Sequence, residues 1–159
     1  MPDSESAGYW SRKLEQLGIA LPTVVPPAAN YVPAVRTGAY VYTSGQLPMV
    51  DGALAATGKV GAEVDPGQAA GLARTCALNA LAAVDALVGV DAVVRIVKVV
   101  GFVASAPGFN AQPAVVNGAS DVLGEIFGDA GVHARSAGGV SELPLDAPVE
   151  VELIVEVEG

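Results

Sequence analysis

Val93-Val94-Arg95-Ile96-Val97-Lys98-Val99-Val100-Gly101-Phe102-Val103-Ala104 is the stretch whose reading decides the fold. Valine and isoleucine dominate it, and such β-branched residues favour extended chain. They fall on both faces of the implied strand, so the segment reads as a central strand that expects cover on both sides. Arg95 and Lys98 interrupt the run. From Ala92 to Ala104 it is also far shorter than the ~20 apolar residues a bilayer-spanning helix needs, so no membrane span is expected here.

Upstream, the chain turns alanine-rich from Pro66, and Leu72, Cys76, Ala80, Ala83 and Leu87 recur at spacings of four, four, three and four. That is the period of a long amphipathic helix, capped by Gly89. Downstream, Pro107-Gly108 breaks the strand, and a second helix is expected from about Gln112 to Phe127, closed by Gly128. Two further strands follow near His133–Val140 and Val149–Val157. The last alternates cleanly, with Val149, Val151, Leu153, Val155 and Val157 on one side and Glu150, Glu152, Glu156 and Glu158 on the other, interrupted by Ile154.

Nearer the N-terminus, Tyr31–Arg36 and Ala39–Ser44 flank Thr37-Gly38, a hairpin signal, after a loop through Pro26 and Pro27. Asp51-Gly52 is a second turn signal, with a possible third strand between it and Thr57-Gly58. Residues 1–5 read as disordered and 6–18 as a short helix, with Tyr9 or Trp10, Leu14 and Leu17 at helical spacing before Gly18. The order is β-β-(β)-α-β-α-β-β behind an extra N-terminal helix. Two helices cover only one face of such a mixed sheet, so the fold class is α+β, and self-association is expected on the other face.

The 159 residues, with no linker-like tract, fit one domain spanning 1–159. Hydrophobic residues make up 52% and charged residues 16%, more apolar than a lone subunit needs, which also points to burial between copies. A formal charge of -9 repels phosphate backbones and anionic membrane surfaces, so neither nucleic acid nor membrane is an expected partner. The single cysteine, Cys76, has no internal disulfide partner, and acidic Asp3 and Glu5 stand where a signal peptide carries positive charge. A cytoplasmic location is the expectation.

Tyr42-Thr43-Ser44-Gly45-Gln46-Leu47-Pro48, His133-Ala134-Arg135-Ser136, Leu143-Pro144 and Val149-Glu150-Val151-Glu152 resemble, in order and separation, the signature blocks of the RidA family, also called YjgF/YER057c/UK114 or L-PSP-like. The resemblance covers 31–157. It implies a chorismate-mutase-like sandwich of the bacillus type, with two helices on one face of a mixed sheet, assembled as a homotrimer with clefts between subunits. The implied activity is that of an enamine/imine deaminase, hydrolysing 2-aminoacrylate-type enamines or 2-imino acids to a 2-keto acid and ammonia. No metal or organic cofactor is implied.

The same resemblance assigns roles. Arg135 grips the substrate carboxylate, a task that suits a guanidinium fork which stays protonated. Glu150 positions or activates water, while Tyr31, Ser44, Gly45 and Asn117 line the substrate site. Ala137 departs from the pattern, because many relatives carry cysteine there.

Each residue also has a plain structural reading. Arg135 alone would be an ion-pair partner in so acidic a chain. Glu150 shares its strand face with three other glutamates and would be a solvated carboxylate. Tyr31 and Ser44 would be a strand aromatic and a turn residue, and Asn117 would bond to backbone. His133, the only histidine, lacks the partners of a metal site or triad and reads as structural. Cys76 reads as a small buried hydrophobe and Gly138-Gly139 as an aid to close packing.

Three alternatives stand beside the deaminase. A non-catalytic trimer would bind small carboxylate metabolites or partner proteins through the same clefts. An endoribonuclease is disfavoured by charge and by the lack of a basic patch. A chorismate mutase would need more cationic groups for its dianionic substrate.

Overall fold

A computed structural model describes residues 8–24, 27 and 29–159. The expected disorder at residues 1–5, and Pro26 of the proline loop, lie outside the described residues. In chain order the elements are α1 (Tyr9–Gln16), β1 (Ala34–Thr37), β2 (Tyr40–Thr43), β3 (Met49–Val50), β4 (Ala53–Leu54), α2 (Pro66–Val88), β5 (Val93–Ala104), α3 (Gln112–Phe127), β6 (Ala134–Val140) and β7 (Val149–Val157). Short 3-10 turns precede β5 and β6 and join β6 to β7. The mixed α+β architecture is the one expected for a chorismate-mutase-like fold.

Five strands form one sheet in the order β1-β2-β7-β5-β6. Only β5 and β6 run parallel; the other pairs are antiparallel. The strand at the centre is therefore β7, and β5 sits one place off, between β7 and β6. Alternation along β7 sorts its side chains cleanly: Val149, Val151, Leu153, Val155 and Val157 are at most 2% exposed, whereas Glu150, Glu152, Ile154 and Glu156 are half-buried on the other face.

Helices α2 and α3 cover the valine face. Ala69, Ala73, Cys76, Ala80 and Leu81 of α2 and Val115, Ala119, Val122 and Ile126 of α3 are fully buried there with Ile96, Val99 and Val103 of β5. Small residues let the two helices close. A Cβ on Gly118 of α3 would overlap the backbone carbonyl of Ala70 in α2, so only glycine allows this approach. Asp65 caps α2, its carboxylate accepting from Gln68 N–H at 2.9 Å. By length and apolarity α2 resembles a membrane span, yet it is the core helix of this fold.

Within one chain β5 is covered on one side, by α2 and α3, and the face on which self-association is expected is bare. Val97, Lys98, Val100 and Phe102 stay half-buried, because no described element of the chain packs on that face. Val97, Val100 and Phe102 remain on the uncovered face, so apolar residues stand on both faces of β5, and register shifts between Val93 and Arg95 and between Ile96 and Lys98 change only which residues of its first half point each way. Exposed Val35, Tyr40 and Tyr42 continue the uncovered surface across β1 and β2.

Three boundaries also move. β1 starts at Ala34 rather than Tyr31, since Pro33 has no N–H to give a ladder. The possible third strand becomes a separate two-stranded hairpin, β3 and β4, turning at Asp51-Gly52 outside the main sheet. α1 ends at Gln16. It is fastened to the start of β5 and the turn before it: Trp10 Nε1–H donates to Val93 O at 2.8 Å, and Ser11 donates from backbone N and Oγ to Asp91 at 2.9 and 2.8 Å. The Trp10 ring also meets Phe127 edge-on, centroids 4.9 Å apart.

Candidate functional site

The residues singled out from sequence fall into two groups. The first surrounds Arg135. On β6, Arg135 stands opposite Val99 of β5, an inward position, so its side chain lies on the helix-covered side of the sheet. There Nη1 donates to Asn117 Oδ1 at 2.7 Å and to Ser120 Oγ at 3.2 Å, and Nη2 donates to the Pro113 carbonyl at 3.3 Å. Asn117 therefore holds the arginine rather than its own backbone. A guanidinium has five N–H donors, so these three contacts leave two, Nε–H and one Nη2–H, for another acceptor. Among the described residues Arg135 has no ion-pair partner, since the two bridges are Lys59–Glu142 and Arg74–Glu125. The structural reading of Arg135 as an ion-pair partner is not what the fold provides.

Sequence reasoning missed Ser120. It lies three residues after Asn117, one turn along the same face of α3, and that spacing was the available signal. His133 completes the surroundings: its Nδ1 stands 2.6 Å from Gly131 O and its Nε2 2.9 Å from Ser120 Oγ. Ala137, two residues beyond Arg135 on the same face of β6, packs against the hydrophobic core. Gly139 makes room for Gln112 and Ser105.

The second group gathers where β2 ends. Ser44 N–H donates to Pro33 O at 2.8 Å and its hydroxyl to Val32 O at 2.6 Å, which ties this loop to the residue after Tyr31. Tyr31 is 54% exposed and precedes β1 rather than lying in it. Gln46 exchanges two backbone hydrogen bonds with Val151, at 2.8 and 3.0 Å, and this brings the loop across β7 beside Glu150. A Cβ on Gly45 would overlap the Glu150 carboxylate. Glycine at this position is what lets the carboxylate lie against the loop backbone.

Glu150 pairs in register with Phe102, on the face opposite to Arg135. Burial pushes its carboxyl above the ordinary glutamate range, and the charge of Glu152 on the same face adds to the effect. Cys76 lies behind the sheet, fully buried, and burial raises its thiol well above the usual cysteine value. It is a core residue, as its helical position implied.

Ser44, Gly45 and Glu150 thus gather at the end of β2, with exposed Tyr31 in the segment tied to Ser44, whereas Asn117 and Arg135 meet on the other side of the sheet. A cavity of about 650 Å³ lies away from both, between residues 20–24, the β3–β4 hairpin and Thr75, Leu78 and Asn79 of α2. Among the described residues no cluster of three His, Cys, Asp or Glu side chains could hold a metal ion.

Comparison with known proteins agrees with this architecture. The family model for endoribonuclease L-PSP matches residues 22–157. Protein TCP17 of Trypanosoma cruzi is 42% identical over 156 residues, covering 96% of each chain. The solved structure of Atu1372 from Agrobacterium tumefaciens, a protein of unknown function, is 42% identical, with a TM-score of 0.87 over 97% of this chain and 96% of its own. TdcF of E. coli, solved with bound serine, is 26% identical, with a TM-score of 0.62 over 86% of this chain and 94% of its own. The match over 22–157, together with the fold and the order of the signature segments, places the chain in the endoribonuclease L-PSP family, which is the YjgF/RidA family.

Proposed function

We propose that this protein is a hydrolytic deaminase of 2-aminoacrylate-type enamines and their 2-imino acid tautomers, working in clefts between the subunits of a homotrimer. The observation that carries this reading is the state of Arg135. In a chain with 17 acidic and eight basic residues, its guanidinium is held by neutral oxygens alone and keeps two donors unspent. Such a group is prepared to bind a small carboxylate. Serine, the molecule bound in TdcF, is a small carboxylate of this kind.

The chemistry is balanced by water alone. Arg135 fixes the carboxylate of the 2-imino acid, and Glu150 takes a proton from a water molecule as its oxygen bonds to C2. Protons then pass to nitrogen, the C–N bond breaks, and 2-keto acid and ammonia leave. Tyr31, Ser44 and Gly45 shape the Glu150 half, and Asn117 steadies the Arg135 half. Because the halves occupy opposite faces of one subunit, a neighbouring copy supplies the complement, and the uncovered sheet face is the surface on which copies would meet.

A second reading, a trimer that binds small carboxylates without turnover, uses the same Arg135 and is favoured by the bound serine of TdcF. An endoribonuclease, the name attached to the family model, fits poorly with a net charge of -9. The deciding experiment generates 2-aminoacrylate and 2-aminocrotonate in situ with a dehydratase and follows keto-acid release. Acceleration by the wild type that is lost in Arg135→Ala supports the deaminase. An unchanged background, with 2-oxobutanoate still raising the melting temperature, leaves the binder.

A further inference from the structure

We infer that His133 and Ser120 are positioning residues, a hydrogen-bond relay that fixes the direction in which Arg135 presents its free edge to a carboxylate. The inference rests on the reading of Arg135 as the carboxylate anchor and adds two residues which that reading does not use.

For a neutral ring, one fixed point sets the direction of every bond in the relay. The Gly131 carbonyl can only accept, so His133 Nδ1, 2.6 Å away, carries a proton. In the neutral imidazole Nε2 is then an acceptor, and the Ser120 hydroxyl 2.9 Å away donates to it. With its single proton spent, Ser120 turns lone pairs outward, and Arg135 Nη1 donates to them at 3.2 Å. Asn117 Oδ1 takes the other bond from Nη1 at 2.7 Å. Both acceptors hold the Nη1 end, the Pro113 carbonyl takes one bond from Nη2, and Nε–H with the other Nη2–H remains for a ligand.

The relay spans three elements: Gly131 and His133 before β6, Ser120 on α3 and Arg135 on β6. An arginine side chain has four rotatable bonds and little reason to stay in one pose on its own. Fixing it before the ligand arrives removes part of the ordering penalty of binding. A hydroxyl whose proton was free to rotate would point toward the guanidinium part of the time and repel it. His133 removes that option, which gives the lone histidine a directional role that simple packing does not need.

Substitutions that mimic one ring nitrogen at a time test this. Asparagine at 133 places an amide near the Nδ1 position and can still donate to Gly131, but it is too short to offer an acceptor to Ser120. Glutamine reaches the Nε2 position and can accept from Ser120. Titration calorimetry with 2-oxobutanoate, and turnover of in-situ imine, would be measured for wild type, Arg135→Ala, Ser120→Ala, His133→Asn and His133→Gln, with ligand-free melting temperatures. Loss of one supporting hydrogen bond is expected to weaken 2-oxobutanoate binding by about three- to tenfold in Ser120→Ala and His133→Asn. The loss should appear in KM with kcat held, because the carboxylate is gripped alike in ground and transition states. His133→Gln should restore binding to within about twofold of wild type.

Equal weakening in the Asn and Gln variants, losses that follow melting temperature, or wild-type affinity in Ser120→Ala would overturn the relay. If the wild type neither binds 2-oxobutanoate nor differs from Arg135→Ala, the carboxylate anchor itself fails and the relay falls with it. Where wild-type binding does depend on Arg135, the anchor stands, and any failure then belongs to His133 and Ser120 alone.

Discussion

Arg135 and Glu150 stand on opposite faces of one sheet, although only fifteen residues separate them in sequence. Arg135 pairs with inward-facing Val99 and lies under α3, whereas Glu150 pairs with outward-facing Phe102 and lies against Gly45. If both serve one reaction, each cleft takes its arginine from one copy and its glutamate from the next. Arg135→Ala and Glu150→Ala should then be inactive separately and active when co-expressed. With random mixing of equal amounts in a ring, about one cleft in four receives both native halves. Recovery of about a quarter of wild-type keto-acid release is the expected outcome, and mixed assemblies as silent as the parents would show that one copy provides both residues.

The raised Glu150 carboxyl makes a signed prediction about pH. Burial, with Glu152 in support, favours the protonated form in the folded state. The folded value therefore lies above the unfolded one, and stability declines as pH rises through the interval between them. Glu150→Gln should raise the melting temperature at neutral pH, with the gain vanishing below the ordinary glutamate range. Activity runs the other way, since the base must be ionised to accept a proton from water. The acidic limb of the wild-type kcat profile should fall above the ordinary glutamate value, and a limb at or below that value would remove Glu150 as the base.

The order of elements was legible because apolar periodicity is local: period 3.6 in α2 and α3, period 2 in β7. Strand order was not, since pairing of β7 between β2 and β5 joins residues far apart in the chain. Apolar residues do stand on both faces of Val93–Ala104, as periodicity reads, but what covers the second face is not written in the segment itself. Arg135, Glu150, Ser44 and Gly45 were reached through signature segments, while Ser120 needed the helix geometry that sets it one turn from Asn117. That Arg135 and Glu150 face apart depends on register across β6, β5 and β7, a relation invisible in either segment.

Gly118 tests the helix packing that carries the sheet. Its missing Cβ is where the Ala70 carbonyl of α2 sits, so alanine there forces the helices apart. Overpacking typically costs about 1–3 kcal/mol, partly offset by roughly 1 kcal/mol of better helix propensity. A fall in melting temperature of several degrees is expected for Gly118→Ala, at about 2–4 °C per kcal/mol for a chain of this size. A neutral or stabilising result would mean that α2 and α3 leave room for a methyl group at this crossing.

Gly45→Ala separates positioning of Glu150 from stability. The loop is exposed to some degree and anchored on both sides, by Ser44 to Val32 and Pro33 and by Gln46 to Val151. The added methyl should therefore displace the Glu150 carboxylate rather than unfold the strand, because a side-chain end moves more easily than a paired backbone. The melting temperature is expected to change by less than that of Gly118→Ala. Catalysis should suffer more: moving a general base out of reach forfeits much of the ~10²- to 10⁴-fold that proton transfer contributes. The loss should fall on kcat, with binding of 2-oxobutanoate through Arg135 nearly unchanged. If 2-oxobutanoate binding fails together with kcat, Gly45 acts on the carboxylate grip and not on Glu150, and the division of the cleft into a water-activating half and an anchoring half is wrong.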